Sequence, residues 1–188
     1  MINIIVLSVC IAIIIIYAVR RNNNFLAVHE IIGLHFSIFK KNKLQITFFY
    51  IIPLVMAICI ADLGVLNQQA TDSIIIVVGI FIAIFFSILG FVLGFPKKVS
   101  ENVNSEIYLL VHRETFCTIL FEILLCVITL ILAFTYAFVP NEGFSILRER
   151  IYCIILFIWR FSIYYLLLVC LLNMLIVVKR LKKLYDVQ

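Results

Sequence analysis

Charge is scarce in this chain. Charged residues make up 13% of its 188 positions, about half the share of a soluble globular domain, and that shortage excludes a surface built to face water. The six cysteines (Cys10, Cys59, Cys117, Cys126, Cys153, Cys170) include no C-x-x-C pair and none stands beside a histidine. They read as small buried hydrophobes, and neither a metal nor another cofactor is expected. There is no G-x-S-x-G and no Walker loop, nor any histidine next to an acid within an apolar run, so nothing points to an enzyme. Asn-x-Ser/Thr acceptors are also missing, which leaves no hint of a eukaryotic secretory route.

What fills the chain is apolar: 65% hydrophobic residues and a mean hydropathy of +1.23. Five stretches are long enough to cross a bilayer, which takes about 20 residues: 2–19, 46–66, 73–95, 115–139 and 151–178. The first has no basic n-region and no Ala-x-Ala-like site, and Arg20-Arg21 follow it directly, so a retained anchor is expected rather than a signal peptide. If it lies flat, four spans remain. Continuous apolar runs without strand alternation must close their backbone hydrogen bonds as helices. The expected fold is all-α, a single polytopic bundle whose connections are too short for a soluble domain. Pro53 stands near the start of the second span, where it can kink the helix; Pro96 and Pro140 follow the third and fourth, where proline ends one.

Basic residues fall on alternate connections. Arg20, Arg21, Lys40, Lys41 and Lys43 occupy the first, Lys97, Lys98 and Arg113 the third, and Lys179, Arg180, Lys182 and Lys183 the tail, twelve of the fifteen in all. Only Arg148 and Arg150 lie on the other side. The positive-inside rule then sets the C-terminus in the cytoplasm and, with five spans, the N-terminus outside. These basic groups, apart from Arg113 in its span-flanking position, are the expected contacts to acidic lipid or to a cytosolic partner.

Residues 25–41 carry Glu30, Gly33, Ser37, Lys40 and Lys41 at helical spacing, with apolar residues between them. This describes an amphipathic helix lying in the cytoplasmic interface. His29-Glu30 and His35 resemble the H-E-x-x-H zinc helix only superficially, because a step of six turns the second histidine about 240° from the first. In the third span Gly79, Ala83, Ser87, Gly90 and Gly94 form a ridge of small residues, the pattern that lets helix backbones approach closely in lipid. The ridge suits either the chain's own helices or a neighbouring subunit, and a homo-oligomer is expected.

Ionisable groups inside a span usually face protein and have a partner. Glu122 and Arg160 are the two candidates, and counted from opposite span ends their depths differ by only about 6 Å. Three readings stand: an ion pair, an Arg160 that snorkels outward because its run is longer than the bilayer, and a role in ion passage. Thr115, Thr118, Glu122 and Thr129 share a helix face, a polar stripe that must face protein or a wet cavity. Trp159 with Tyr152, Tyr164 and Tyr165 reads as an interfacial aromatic belt.

The stretch from His29 to Lys43, HEIIGLHFSIFKKNK, leading into Phe48-Phe49-Tyr50-Ile51-Ile52-Pro53-Leu54, resembles the small multi-pass membrane subunits of bacterial anti-phage loci, the Kiwa membrane subunits first among them. The resemblance covers about a third of the chain, and those subunits have four spans where this sequence offers five. It implies an oligomeric inner-membrane subunit that responds to phage attack and works with a cytosolic, nucleic-acid-binding protein. The chain itself is not expected to bind nucleic acid. Two functions compete: a non-enzymatic membrane subunit that scaffolds or signals to a cytosolic partner, and a channel, holin-like pore or small transporter built on the Glu122 stripe.

Overall fold

A computed structural model of the chain describes residues 9, 13, 28–39, 43–63, 66–94, 104–138 and 146–186. Helix α1 is Val28–Phe39; α2, Lys43–Ile46, runs through a π-helical turn, Thr47–Ile51, into α3, Ile52–Leu63; α4 is Gln68–Gly94, α5 Asn104–Ala137 and α6 Ile146–Asp186. No strand occurs among the described residues. The fold is an all-helical bundle, as expected. Among the described residues, four stretches are long and apolar enough to span a membrane: Leu44–Leu63, Gln68–Gly94, Tyr108–Ala137 and Cys153–Tyr185. Of the proposed first span at 2–19 all but residues 9 and 13 lie outside the described residues.

Local chemistry explains where the elements begin and bend. Asn67 caps α4, accepting the Ala70 N–H on its side chain at 2.8 Å while its carbonyl takes the Thr71 N–H. That cap starts the helix several residues before the apolar run, because an Asn carboxamide satisfies donors that the first helical turn leaves open. Pro53 has no N–H and crowds the turn before it. The helix widens there, and Ile52 N–H reaches back five residues to the Thr47 carbonyl.

Helix α5 is the centre of the bundle. It packs against α4 on one side and α6 on the other, α3 packs on α6, and α1 lies against α5. Buried positions repeat every seven residues: Val78, Phe85 and Val92 on α4, Ile119, Cys126 and Ala133 on α5, Ile163, Cys170, Val177 and Leu184 on α6. A seven-residue repeat keeps one seam facing its neighbour as helices coil gently around each other. On α3 the buried residues are Pro53, Ala57 and Ala61, four apart, so small side chains let α3 approach α6 closely.

The amphipathic segment at residues 25–41 is described over its helix α1, Val28–Phe39. Val28 and His35 are buried and Ile31 and Ile32 pack on the Phe121, Leu125 and Val169 cluster. Val28, Ile31, Ile32 and His35 fall on one helical stripe that packs on the bundle, while Gly33, Phe36 and Ser37 are exposed. Lys40 and Lys41 lie outside the described residues.

Candidate functional site

The polar groups of the membrane interior gather where α1, the π turn, α5 and α6 meet. The His35 ring stacks on Phe121 with centroids 3.9 Å apart, and its Nε2 stands 2.7 Å from the Tyr50 hydroxyl. The π turn carries Tyr50, and such wide turns recur at functional positions. Burial, reinforced by the Arg180 guanidinium, pushes the His35 imidazole down to about 3 from 6.5. It is neutral at physiological pH.

Beyond Tyr50 lie Asn173 and Glu122. Both are fully buried, and neither oxygen of Glu122 nor either polar atom of the Asn173 amide has a hydrogen-bond partner. Asn173, Cys126 and Cys170 surround the Glu122 carboxyl without reaching hydrogen-bond geometry. Cys126 and Cys170 are both free thiols, their sulfurs 3.0 Å apart across the α5–α6 seam. Four buried polar atoms without a hydrogen-bond partner in one enclosure are unusual, since each costs about 1–3 kcal/mol.

The polar stripe faces protein, with Thr115, Thr118, Glu122 and Thr129 all at 0–1% exposure. Its threonines spend their hydroxyls on their own helix: Thr115 donates to the Val111 carbonyl, Thr118 to that of Glu114 and Thr129 to that of Leu125. Only Glu122 is left unsatisfied within the stripe.

The expected Glu122–Arg160 ion pair does not form. The Cys126–Cys170 contact and the edge-to-face Tyr136–Trp159 pair set the register between α5 and α6. That register puts Arg160 level with Tyr136, fourteen residues or roughly 21 Å along α5 from Glu122. There Arg160 donates its Nε to the Leu156 carbonyl at 3.3 Å. The depth estimate failed because the apolar part of α6, 33 residues, exceeds a bilayer's thickness and can be aligned at either end. The ion pair shown is at the basic end, where Arg180 meets Glu114 at 3.3 Å. Trp159 is buried and turned edge-on toward Tyr136, next to the end of that residue's span at Ala137. Not all cysteines are buried, for Cys59 and Cys153 are exposed.

Gly79, Ala83, Ser87, Gly90 and Gly94 are all exposed. They point roughly 160° away from the Thr71, Ile74, Val78, Phe85 and Val92 face that packs on α5. A Cβ added at Gly79, Gly90 or Gly94 would meet nothing within 4 Å. Among the described residues, then, none packs on the ridge. Among the remaining basic residues, Lys43 opens α2, Lys179, Lys182 and Lys183 are exposed on the last turns of α6, and Arg20, Arg21, Lys97 and Lys98 lie outside the described residues.

Sequence reasoning singled out Glu122 but passed over Asn173, Tyr50 and His35 as its company. The available signal was a lone amide inside the apolar run of α6, since polar side chains at membrane depth seek one another. No family model, curated protein or solved structure matches this chain.

Proposed function

We propose that this chain is a non-enzymatic, multi-pass membrane subunit that assembles with copies of itself and presents its basic end to a cytosolic protein. The observation that carries this reading is the small-residue ridge on α4, exposed along its length and opposite the face that packs on α5. In lipid there is little hydrophobic drive between helices, and close backbone approach along small residues is what brings them together. The concentration of lysine and arginine at one end favours a cytoplasmic orientation for that end in a bacterial inner membrane. A role in anti-phage defence is our proposal from the resemblance of residues 29–54 to the Kiwa membrane subunits. The test is the oligomer size of Gly90→Leu/Gly94→Leu in mild detergent. Loss of the oligomer with an intact fold supports self-assembly; an unchanged oligomer contradicts the role of the ridge.

A second reading, ion or proton passage through the interior, draws on the unpartnered Glu122 and Asn173. It requires water to enter an enclosure that is closed in this conformation. Flux through liposomes holding the purified protein, compared with Glu122→Gln, decides it: a selective flux abolished by the substitution favours conduction, and none above empty liposomes favours the scaffold.

A further inference from the structure

At the basic end, α2, the π turn, α5 and α6 border a half-open cavity of about 500 Å³. Its composition changes along its depth. Phe49, Leu175 and Ile176 form an apolar wall on the bilayer side, while Lys179, Lys182 and Lys183 line the outer part. The transition follows from helix geometry, because 175, 179 and 183 recur every four residues and so share a face of α6. That face passes from leucine to lysine within two turns, at the level where hydrocarbon gives way to headgroups.

The charge inside the cavity is not balanced. Arg180, with a side chain only 12% exposed, is committed to Glu114. Glu114 is the one acid in the lining, so among the described residues no further carboxylate there balances Lys179, Lys182 and Lys183. The opposite wall offers Gln45, an amide able to bond phosphate or glycerol oxygens. An anion with an apolar tail satisfies both halves, and basic pockets between membrane helices are suited to such headgroups. We infer that this cavity binds an acidic glycerophospholipid, its phosphate held by Lys179 and Lys183 and its proximal acyl chain laid along Leu175, Ile176 and Phe49. The inference is independent of self-assembly.

The test uses the full chain, delipidated in a non-ionic detergent, with phosphatidylglycerol, phosphatidylcholine of the same acyl chains and soluble glycerol 1-phosphate as probes, and bound ligand read by native mass spectrometry. Phosphatidylglycerol should bind at least about tenfold more tightly than phosphatidylcholine. Lys179→Gln/Lys183→Gln should weaken phosphatidylglycerol about 25-fold, roughly fivefold for each basic group removed. Ile176→Trp, which fills the cavity without touching its charge, should weaken it at least about tenfold. Arg113→Gln, an exposed cation outside the lining, should change it by less than about twofold. Equal binding of the two lipids overturns the inference, as does wild-type affinity in the lysine double variant, or an Arg113→Gln loss as large as that of one pocket lysine. Glycerol 1-phosphate binding as tightly as phosphatidylglycerol overturns it in favour of a soluble phosphate site. Should Ile176→Trp fail to fold, the lysine variant, altered only at exposed positions, decides alone; oligomer size in the same preparations reports separately on self-assembly.

Discussion

Two ridges of small residues run along consecutive helices of this chain and meet opposite fates. On α3, Pro53, Ala57 and Ala61 are buried against α6; on α4, Gly79, Ala83, Ser87, Gly90 and Gly94 are exposed on the side away from α5. Both have the spacing that permits close approach. The spacing says that a helix can come near, and the rest of the bundle decides whether that helix belongs to the same chain. For α3 the neighbour is supplied by α6, whereas for the α4 ridge no described residue supplies one, and that difference is the ground for proposing a second copy.

The sharpest way to break the comparison is to place the same bulk on both ridges. Ala57, at 0% exposure, has no room for a larger side chain, and Ala57→Leu should cost about 1–3 kcal/mol or prevent folding outright. Thermal unfolding in detergent, followed by size-exclusion chromatography, measures it. Wild-type stability in that variant would mean that α3 and α6 are not in close contact.

A second prediction concerns what the α3 side holds and the α4 side lacks, helix α1 fastened by His35 and Tyr50. Tyr50→Phe should cost about 1–2 kcal/mol, since it deprives the buried imidazole of its hydroxyl partner. The same latch predicts an acid response. His35 stays neutral in the folded protein down to about pH 3 but titrates at 6.5 when released. Protons therefore favour the unfolded chain, and stability is fully present above pH 6.5 and lost progressively as pH falls from 6.5 toward 3. His35→Phe should flatten that part of the pH profile; an unchanged slope would show that His35 is not enclosed.

Smaller again is the expected coupling between Glu122 and Arg160. Groups roughly 21 Å apart that share no partner should give a double-mutant interaction energy below about 0.5 kcal/mol. A coupling of several kcal/mol between Glu122→Leu and Arg160→Leu would restore the ion pair and contradict the register. The smallest effect belongs to the exposed ridge: Gly79→Leu should alter the unfolding of the separated monomer by no more than about 0.5 kcal/mol, while still disturbing the assembly.

The four described spans were legible because crossing a membrane is a property of one-dimensional hydropathy, and their bounds differ from expectation mainly where Asn67 caps α4 early and where α5 and α6 continue as helix through charged residues. The polar stripe on α5 was legible for the same reason, since four polar residues on one face leave protein as the cheapest neighbour. Register was not. Nothing in an apolar run longer than the bilayer says which of its ends is aligned, so Arg160 could not be placed against Glu122. His35 was hidden by a different ambiguity: a histidine on the apolar side of an amphipathic helix looks the same whether that side meets lipid or Phe121. The choice between the two ridges required knowing which helices touch, and small residues alone carry no such information.

Cross-linking in native membranes tests the central claim most directly. In a background with Cys10, Cys59 and Cys153 replaced by alanine, Gly90→Cys places a thiol on the α4 ridge and Val77→Cys, itself 39% exposed, places one on the same helix off the ridge. Treatment with a thiol oxidant should join two copies through residue 90, giving a band of twice the monomer mass that a reductant reverses, and should leave the residue 77 variant monomeric. If both variants cross-link equally, or residue 90 gives no dimer while the protein remains folded, α4 does not face a second copy and the proposed assembly is wrong.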